Sequence, residues 1–290
     1  MDELQARSRA RSFLAELGRI LTADVEVYAR AVNARIRYET LEAGESGFTI
    51  PKGVGYVITV NGSESPERQR FTICHELAHI ILGVPSSHGE LPPWSYAKRD
   101  PNEIWCDVFA SELLMPYELF EPKIPEGDPS VEVIEGLAKA FGASFPATAS
   151  RYASLVKFPC AYVIMEKGVV RYAAPNTPMR RRGIRIPMKC PIPPGSIALR
   201  LRQAGDSSTT IDQVAQDIWL ENCDAGYDLW ELSRHFAKFD QTVSVLWCTE
   251  DELPSGEVDR FNRRIDDDDN GGLEELSGVL TWDKHGPRRR

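Results

Sequence analysis

The stretch "FTICHELAHIILG" (residues 71–83) decides the fold and carries the most specific chemistry in the chain. It places His75 and His79 four residues apart, with Glu76 beside the first histidine. Residues four apart lie on one face of an α-helix, so the two imidazoles are predicted to point the same way. Most of their neighbours are apolar, and burying three polar side chains among them is costly without compensation. The pattern therefore favours a metal site over the alternative, a histidine pair on a helix surface.

Start and stop signals define the helices around this stretch. Ser65 and Pro66 provide a cap and a first-turn proline, and Gly83 marks the predicted end of that helix. Asp100-Pro101 and Pro116 bound a second helix in the same way. The remaining patterns of this half predict an amphipathic helix over 3–20, a β-branched strand over 53–63 and a pair of helices over 131–155.

A zinc ion in a catalytic site takes three protein ligands and leaves one position for water. Glu103 on the second helix is the predicted third ligand, and Asp107 would hold the outer ring nitrogen of a ligating histidine. Glu76 would accept a proton from the water. Two alternatives remain open: Glu103 completes a capping box with Asp100, or His88, on the intervening loop, is the ligand instead.

The C-terminal half has a different texture. A hairpin is predicted over 160–174, turning at Lys167-Gly168. Further strands are predicted over 195–202 and 242–250, and helices over 211–220 and 229–239. Strands and helices in this order predict a small α+β domain.

Composition bounds the class of protein. The chain has 290 residues and a net charge of −9, which argues against a protein that coats duplex DNA. No apolar run reaches the length of about 18 residues that a membrane-spanning helix needs. The N-terminus is polar and the six cysteines form no CxxC pair, so we expect reduced thiols and a cytoplasmic location.

Three blocks in order carry a family resemblance: "GYVITVNGSESPERQRFTICHELAHIILG", "NEIWCDVFASELLMP" and "LAKAFGASFPATASRYASL". Together they resemble the ImmA/IrrE family of metallopeptidases. The resemblance implies a zinc endopeptidase, with manganese as an alternative metal in activity. It assigns the ligands to His75, His79 and Glu103, the base to Glu76 and the supporting role to Asp107.

The resemblance also implies a layout and a partner. The expected fold class is α+β: a zincin-like (gluzincin) domain over 1–125, a helical linker over 126–156, a GAF-like sensor domain over 157–255 and an acidic tail over 256–290. Members of the family typically cut a separate helix-turn-helix repressor and so release genes for stress response or phage defence. A phage-defence branch, the CapP type, is the expected subgroup.

Two cysteines are candidates for an inhibitory ligand that would occupy the open position of the metal in the resting enzyme. Cys106 lies three residues beyond Glu103, where the family usually has alanine, and Cys190 follows a lysine. Either thiolate is a chemically suitable zinc ligand for the resting state. The alternative is that both are small buried side chains.

A basic cluster suggests a nucleic-acid contact. Arg180, Arg181, Arg182 and Arg185 are predicted to bind single-stranded DNA as an activator, with stacking on Tyr162, Tyr172 and Trp247. The alternative is a solvated loop. The helix-turn-helix-like segment before residue 156 has few basic residues and is predicted to be a linker.

The peptide substrate is predicted to add to an exposed edge of the strand near 55–61. Tyr96, His88 and Arg70 are candidates for the group that stabilises the oxyanion. Two other functions remain open: a non-enzymatic, signal- or DNA-responsive regulator with a structural metal site, and a peptidase of general protein turnover.

Overall fold

The computed structural model describes residues 1–18, 24–42, 44–85, 100–221 and 228–248. The N-terminal elements are α1 (Glu3–Glu16), α2 (Glu26–Ala31), β1 (Ala34–Glu39), β2 (Gly47–Lys52), β3 (Gly55–Asn61), α3 (Pro66–Leu82), α4 (Pro101–Leu114) and α5 (Tyr117–Phe120). The elements that follow are α6 (Val131–Phe141), α7 (Phe145–Leu155), β4 (Cys160–Glu166), β5 (Val169–Pro175), α8 (Thr177–Arg181), α9 (Ile197–Ala204), β6 (Thr209–Ala215), β7 (Asp228–Phe236) and β8 (Gln241–Trp247). The predicted acidic tail lies outside the described residues.

The helix that carries the two histidines has the predicted boundaries. The Ser65 hydroxyl accepts the Arg68 N–H, Pro66 opens α3, and Gly83 ends it with a φ of 65°. The next helix, α4, begins with the same two signals. The Asp100 side chain caps it by accepting the Asn102 N–H, and Pro101 is its first residue. The helices α3 and α4 pack against each other, which brings their polar faces together.

The N-terminal sheet has the strand order β1-β3-β2, with β1 parallel and β2 antiparallel to β3. The prediction of an exposed edge along residues 55–61 is therefore wrong, because β3 is paired on both sides. Its apolar, β-branched residues explain this position: Ile58 and Val60 are fully buried and Val57 is 5% exposed on the other face. Within the described residues, β2 has only β3 as a neighbour and so leaves one edge unpaired.

The predicted helical pair is present as α6 and α7, and it packs into the core. Ile134, Leu137 and Tyr152 belong to the same buried cluster as the apolar residues of α3 and α4. Arg151 of α7 is also tied to α4 through Glu112 at 2.7 Å. Since α7 contacts β4, β5 and β8 as well, it joins the two halves of the molecule.

The C-terminal sheet is antiparallel, in the order β5-β4-β8-β7-β6. The predicted hairpin is confirmed, with Lys167 and Gly168 at φ values of 50° and 78° in the turn. One face of this sheet packs on the buried cluster of α3, α4, α6 and α7, which we call the first core, and adds Tyr162 and Trp247 to it. The other face forms a second core with α8 and α9, around Met179, Ile197 and Leu201.

Three element predictions in this half are wrong. The segment 195–202 is mostly helix (α9), because Ser196 caps it by accepting the Leu199 N–H and its buried residues have helical spacing. The segments 211–220 and 229–239 are mostly strands (β6 and β7), each followed by a short 3-10 turn. β7 pairs with β6 and β8 along its length, so its ladder of hydrogen bonds outweighs the helical spacing of its leucines.

None of the helices in the described part of the chain has both the length and the apolar composition that crossing a membrane requires.

Candidate metal centre

His75 and His79 point their Nε2 atoms at a common position. The two atoms are 3.2 Å apart, and the ring centroids are separated by 5.0 Å. His79 is buried, and the His75 side chain is 13% exposed. The helical spacing of the motif therefore produces the convergence that the sequence predicts.

Glu103 of α4 completes this group. Its Oε2 lies 3.0 Å from His75 Nε2, and its Oε1 lies 3.6 Å from His79 Nε2. The ligand atoms of His75, His79 and Glu103 all lie within 4.8 Å of one another. Asp100 caps α4 by accepting the Asn102 N–H, and the Glu103 carboxylate is directed at the histidines. Glu103 therefore does not complete a capping box with Asp100. The rival ligand, His88, lies outside the described residues.

The outer nitrogen of each imidazole has a partner of its own. His75 Nδ1 lies 2.9 Å from Asp107 Oδ1, and His79 Nδ1 lies 3.2 Å from the Val84 carbonyl. Both partners are acceptors, so each Nδ1 carries the proton. In the neutral rings, each Nε2 then presents a lone pair to the position that the two rings share.

These contacts also set the proton affinities. Burial would lower the pKa of His75, but hydrogen bonds with Asp107 and Glu103 raise it to about 9. Burial, and then the charge of His75, lower the pKa of His79. One positive charge is thus favoured among these groups.

A divalent cation fits this donor set. Two imidazole lone pairs and a carboxylate facing one another repel unless positive charge lies between them. Two histidines and one glutamate are also a ligand combination of catalytic zinc sites, and both rings have the supporting acceptors common in such sites. The described residues provide three ligands and no fourth in this group.

Glu76 lies beside the group and is oriented by the sheet. Its side chain is 1% exposed, and its Oε2 accepts a hydrogen bond of 2.8 Å from the Thr49 hydroxyl of β2. Thr49 is not among the predicted site residues, because no strand is predicted over residues 47–52. Alternation in "GFTIPK", followed by a glycine turn, is the signal that would have found it.

The two cysteines are not in the ligand group. Cys106 is fully buried in the first core, and burial, then the Glu103 and Asp107 carboxylates, raise the pKa of its thiol. Cys190 packs against the second core, and its carbonyl accepts the Val170 N–H. These surroundings favour the alternative for Cys106, a small buried side chain of the fold, whereas Cys190 is only partly buried.

The predicted nucleic-acid contacts differ in their exposure to solvent. Arg180, Arg181 and Arg185 are exposed, and Arg182 is half-buried. Tyr162 and Trp247 are 5% and 2% exposed in the first core, so their predicted stacking on bases is wrong. They lie on the face of the sheet that α7 covers. Tyr172 is partly buried on the edge strand β5.

Of the three candidates for the oxyanion donor, Arg70 is the one that lies in the described residues, and it does not face the metal ligands. Arg70 donates to the Gly142 carbonyl at 3.2 Å and so ties α3 to the end of α6. It lies five residues before His75, roughly 140° around the helix, which directs it away from the metal ligands. Tyr96 and His88 lie outside the described residues.

A helical histidine pair completed by a carboxylate from a second helix, below a small sheet, defines a metallopeptidase-like domain. Residues 29–152 match the family model described as the IrrE N-terminal-like domain of peptidase family M78. Residues 29–152 therefore form an IrrE N-terminal-like domain, and the resemblance to the ImmA/IrrE family expected from the sequence is confirmed.

Two relatives are similar over this region. The chain is 35% identical to the radiation response metalloprotease IrrE of Deinococcus deserti over 101 residues, which cover 34% of this chain and 35% of the relative. It is 28% identical to the protein of the same name from Deinococcus radiodurans over 115 residues, or 39% of this chain and 35% of the relative. The match therefore spans about a third of the length of these relatives.

A solved structure shares the fold more widely. A transcriptional regulator of Mycobacterium tuberculosis superimposes with a TM-score of 0.56 at 13% identity, over 84% of this chain and 76% of the other. At this identity the likeness concerns the fold alone.

Proposed function

We propose that this chain is a zinc-dependent endopeptidase that cleaves a separate helix-turn-helix transcriptional repressor and so releases stress-response or phage-defence genes. The observation that carries the proposal is the convergence of His75, His79 and Glu103, with Glu76 held beside them. The description of the Deinococcus relatives as metalloproteases supports the same chemistry.

In this proposal Glu76 is the general base and then the general acid. A zinc ion held by the three ligands would polarise the scissile carbonyl and lower the pKa of a nearby water. Glu76 keeps one oxygen on the Thr49 hydroxyl, which leaves the other for a proton. The water oxygen bonds to the carbonyl carbon as its proton passes to Glu76, and Glu76 returns the proton to the amide nitrogen as the C–N bond breaks.

The substrate would lie along the unpaired edge of β2. That edge belongs to the strand that reaches Glu76 through Thr49, so a peptide on it lies beside the base. An extended segment adds its backbone to such an edge without needing a particular side chain. A flexible linker of a repressor meets this requirement better than a folded helix does.

The decisive experiment is co-incubation of the zinc-loaded chain with a helix-turn-helix protein encoded beside it. We expect one or a few cuts with the unmodified chain and none with Glu76→Gln. Zinc content measured on both proteins separates loss of the base from loss of the metal. A protein-turnover role would instead appear as cleavage of many unrelated unfolded proteins.

For regulation, we propose that the C-terminal sheet unit senses the activating signal and that single-stranded DNA is that signal. Arg180 and Arg181 offer exposed positive charge on α8, and Arg185 follows shortly after. Fluorescence anisotropy with a labelled oligonucleotide should give binding that weakens with salt. Changing Arg180, Arg181 and Arg182 to serine should abolish binding. Changing Arg200, a surface arginine on α9, should not.

The finer assignments stay predictions: the GAF-like description of the C-terminal unit, the CapP branch and manganese in activity. A non-enzymatic regulator with a structural metal site is the competing function. The described residues supply three ligands rather than the four of a structural site, which favours catalysis. Cleavage by the unmodified chain but not by a zinc-loaded Glu76→Gln variant would separate the two.

A further inference from the structure

We propose that Thr49 is a positioning residue with two roles: its hydroxyl orients Glu76, and its backbone pairs with the extended substrate. The proposal rests on the peptidase function proposed above and names the residue that aligns base and substrate. Its basis is the hydrogen-bond register of β2.

The direction of each backbone group in β2 follows from two hydrogen bonds of its neighbour. The Tyr56 N–H donates to the Asn33 carbonyl, on the side of β1, and the Asn61 N–H donates to the Ser46 carbonyl, on the side of β2. Backbone groups alternate sides along a strand, so the odd-numbered residues of β3 bond to β2.

The pairing register then identifies the free groups. Val57 pairs with Ile50 and Thr59 pairs with Phe48, so Ile50 and Phe48 direct their N–H and C=O groups at β3. The residue between them, Thr49, directs both groups to the unpaired edge. Pro51 also faces that edge, but it offers a carbonyl and no N–H.

The side chain of Thr49 faces the opposite partner. In register with Ile58, it lies on the helix-facing side of the sheet, where its hydroxyl donates to Glu76 Oε2 at 2.8 Å. Glu76 is 1% exposed, so burial already restricts its side chain, and the hydrogen bond from Thr49 then fixes the orientation of the carboxylate. Any peptide paired with the backbone of Thr49 is therefore set at a constant distance from the base.

Pro51 limits how far the peptide can pair. Thr49 offers one donor and one acceptor to a peptide in either orientation, whereas Pro51 offers an acceptor only. Gly47, two residues before Thr49, faces the same edge, so full pairing ends at Thr49 only towards the C-terminal end of β2, where the peptide residue opposite Pro51 finds an acceptor but no donor. This is a specificity device built from the backbone.

The test separates the two roles by kinetics. The probe is the helix-turn-helix protein encoded beside the chain, incubated with the zinc-loaded full-length chain, and Glu76→Gln tests the underlying function. We expect Thr49→Val, which keeps the backbone and loses the hydroxyl, to lower kcat about tenfold or more with KM within about twofold. Thr49→Ser should restore kcat. Pro51→Ala, which adds a donor, should lower KM severalfold with kcat unchanged.

The matched control is Ile50→Thr, since Ile50 lies on the same strand, points away from α3 and is 47% exposed. It should change neither constant. Unchanged kcat in Thr49→Val, or unchanged KM in Pro51→Ala, would overturn the corresponding half of the proposal.

If the helix-turn-helix protein is not cut, that result counts against the proposed function alone, and a second measurement tests the role of Thr49. Binding of a peptidyl hydroxamate to the zinc-loaded chain is measured by calorimetry, with acetohydroxamate for comparison. We expect Thr49→Val to weaken the peptidyl compound about fivefold or more and Thr49→Ser to leave it unchanged. Equal affinities in all three proteins would overturn the role of the hydroxyl.

Discussion

The Nε2 atoms of His75 and His79 lie 3.2 Å apart, while the Nδ1 atom of each ring is engaged by an acceptor of its own. Two neutral rings in these tautomers repel each other unless a proton or a cation lies between them, and the Glu103 carboxylate facing both Nε2 atoms favours a divalent cation. We therefore expect the purified chain to hold one zinc ion. His75→Ala, His79→Ala and Glu103→Ala should each remove it, as measured by elemental analysis after dialysis.

His88→Ala is the control for this metal prediction, because His88 is the rival ligand from the sequence analysis. We expect it to keep the full zinc content. Loss of zinc in His88→Ala together with retention in Glu103→Ala would show that His88, and not Glu103, is the third ligand.

The contact between Asp107 and His75 predicts a smaller loss. Asp107 Oδ1 lies 2.9 Å from His75 Nδ1 and so fixes the ring orientation and its tautomer. Asp107→Asn keeps the shape and removes the charge. We expect zinc affinity to fall about 10–100-fold, as is typical for such supporting groups, with no loss of fold. Competition with a fluorescent chelator measures the affinity, and circular dichroism checks the fold.

A buried ion pair predicts how stability depends on pH. The Glu112 side chain is 1% exposed and bonds to Arg151 at 2.7 Å and Arg11 at 2.8 Å. Burial would raise the pKa of Glu112, but Arg151 first, then Arg11 and the Tyr117 N–H, hold it below its ordinary value. Because the folded-state pKa is lowered, the stabilisation is present above the unfolded pKa of about 4.3. It is lost as the pH falls through the folded value.

Glu112→Gln should therefore lower the free energy of unfolding by about 3–5 kcal/mol at pH 7, since it leaves a buried arginine unpaired. The difference from the unmodified chain should shrink below pH 4. Urea unfolding at pH 7, 5 and 3.5 measures it. The control is Glu135→Gln, whose carboxylate pairs with Arg234 at the surface and should contribute less than about 1 kcal/mol. A difference that stays constant down to pH 3.5 would contradict the assignment.

The part of the fold around the metal group could be predicted because local chemistry and tertiary packing agree there. Ser65 and Asp100 cap α3 and α4, and the histidine spacing fixes which faces meet. Thr49 could not be found in this way, because its role depends on the pairing of β2 with β3. Pro51 also weakens the strand signal, although its missing N–H lies on the free edge and costs no ladder bond.

The strands of the C-terminal half could not be predicted for a different reason: the inner face of β7 is polar. Glu231, Ser233 and His235 are buried under α9, while Leu229, Leu232 and Phe236 have the spacing of a helix. Glu231 is satisfied by the N–H groups of Ile197 and Ala198 and by the Trp219 indole. These partners come from distant parts of the chain, so a pattern of apolar residues cannot reveal that the carboxylate is buried.

The close approach of β2 to α3 gives the last prediction. A Cβ atom on Gly47 would lie 2.6 Å from the Thr59 carbonyl oxygen and 2.6 Å from the Thr72 methyl group. Gly47→Ala must therefore push β2 away from β3 and α3, and Thr49 moves with it. We expect a loss of about 1–3 kcal/mol in the free energy of unfolding, together with lower cleavage activity. Gly136→Ala in α6 is the matched control, because a Cβ there meets no atom within 4 Å. That change should stabilise the helix by roughly 0.5–1 kcal/mol and leave activity unchanged. Thermal unfolding of both variants measures the first effect, and equal stability of the two would contradict the packing of β2 on α3 described above.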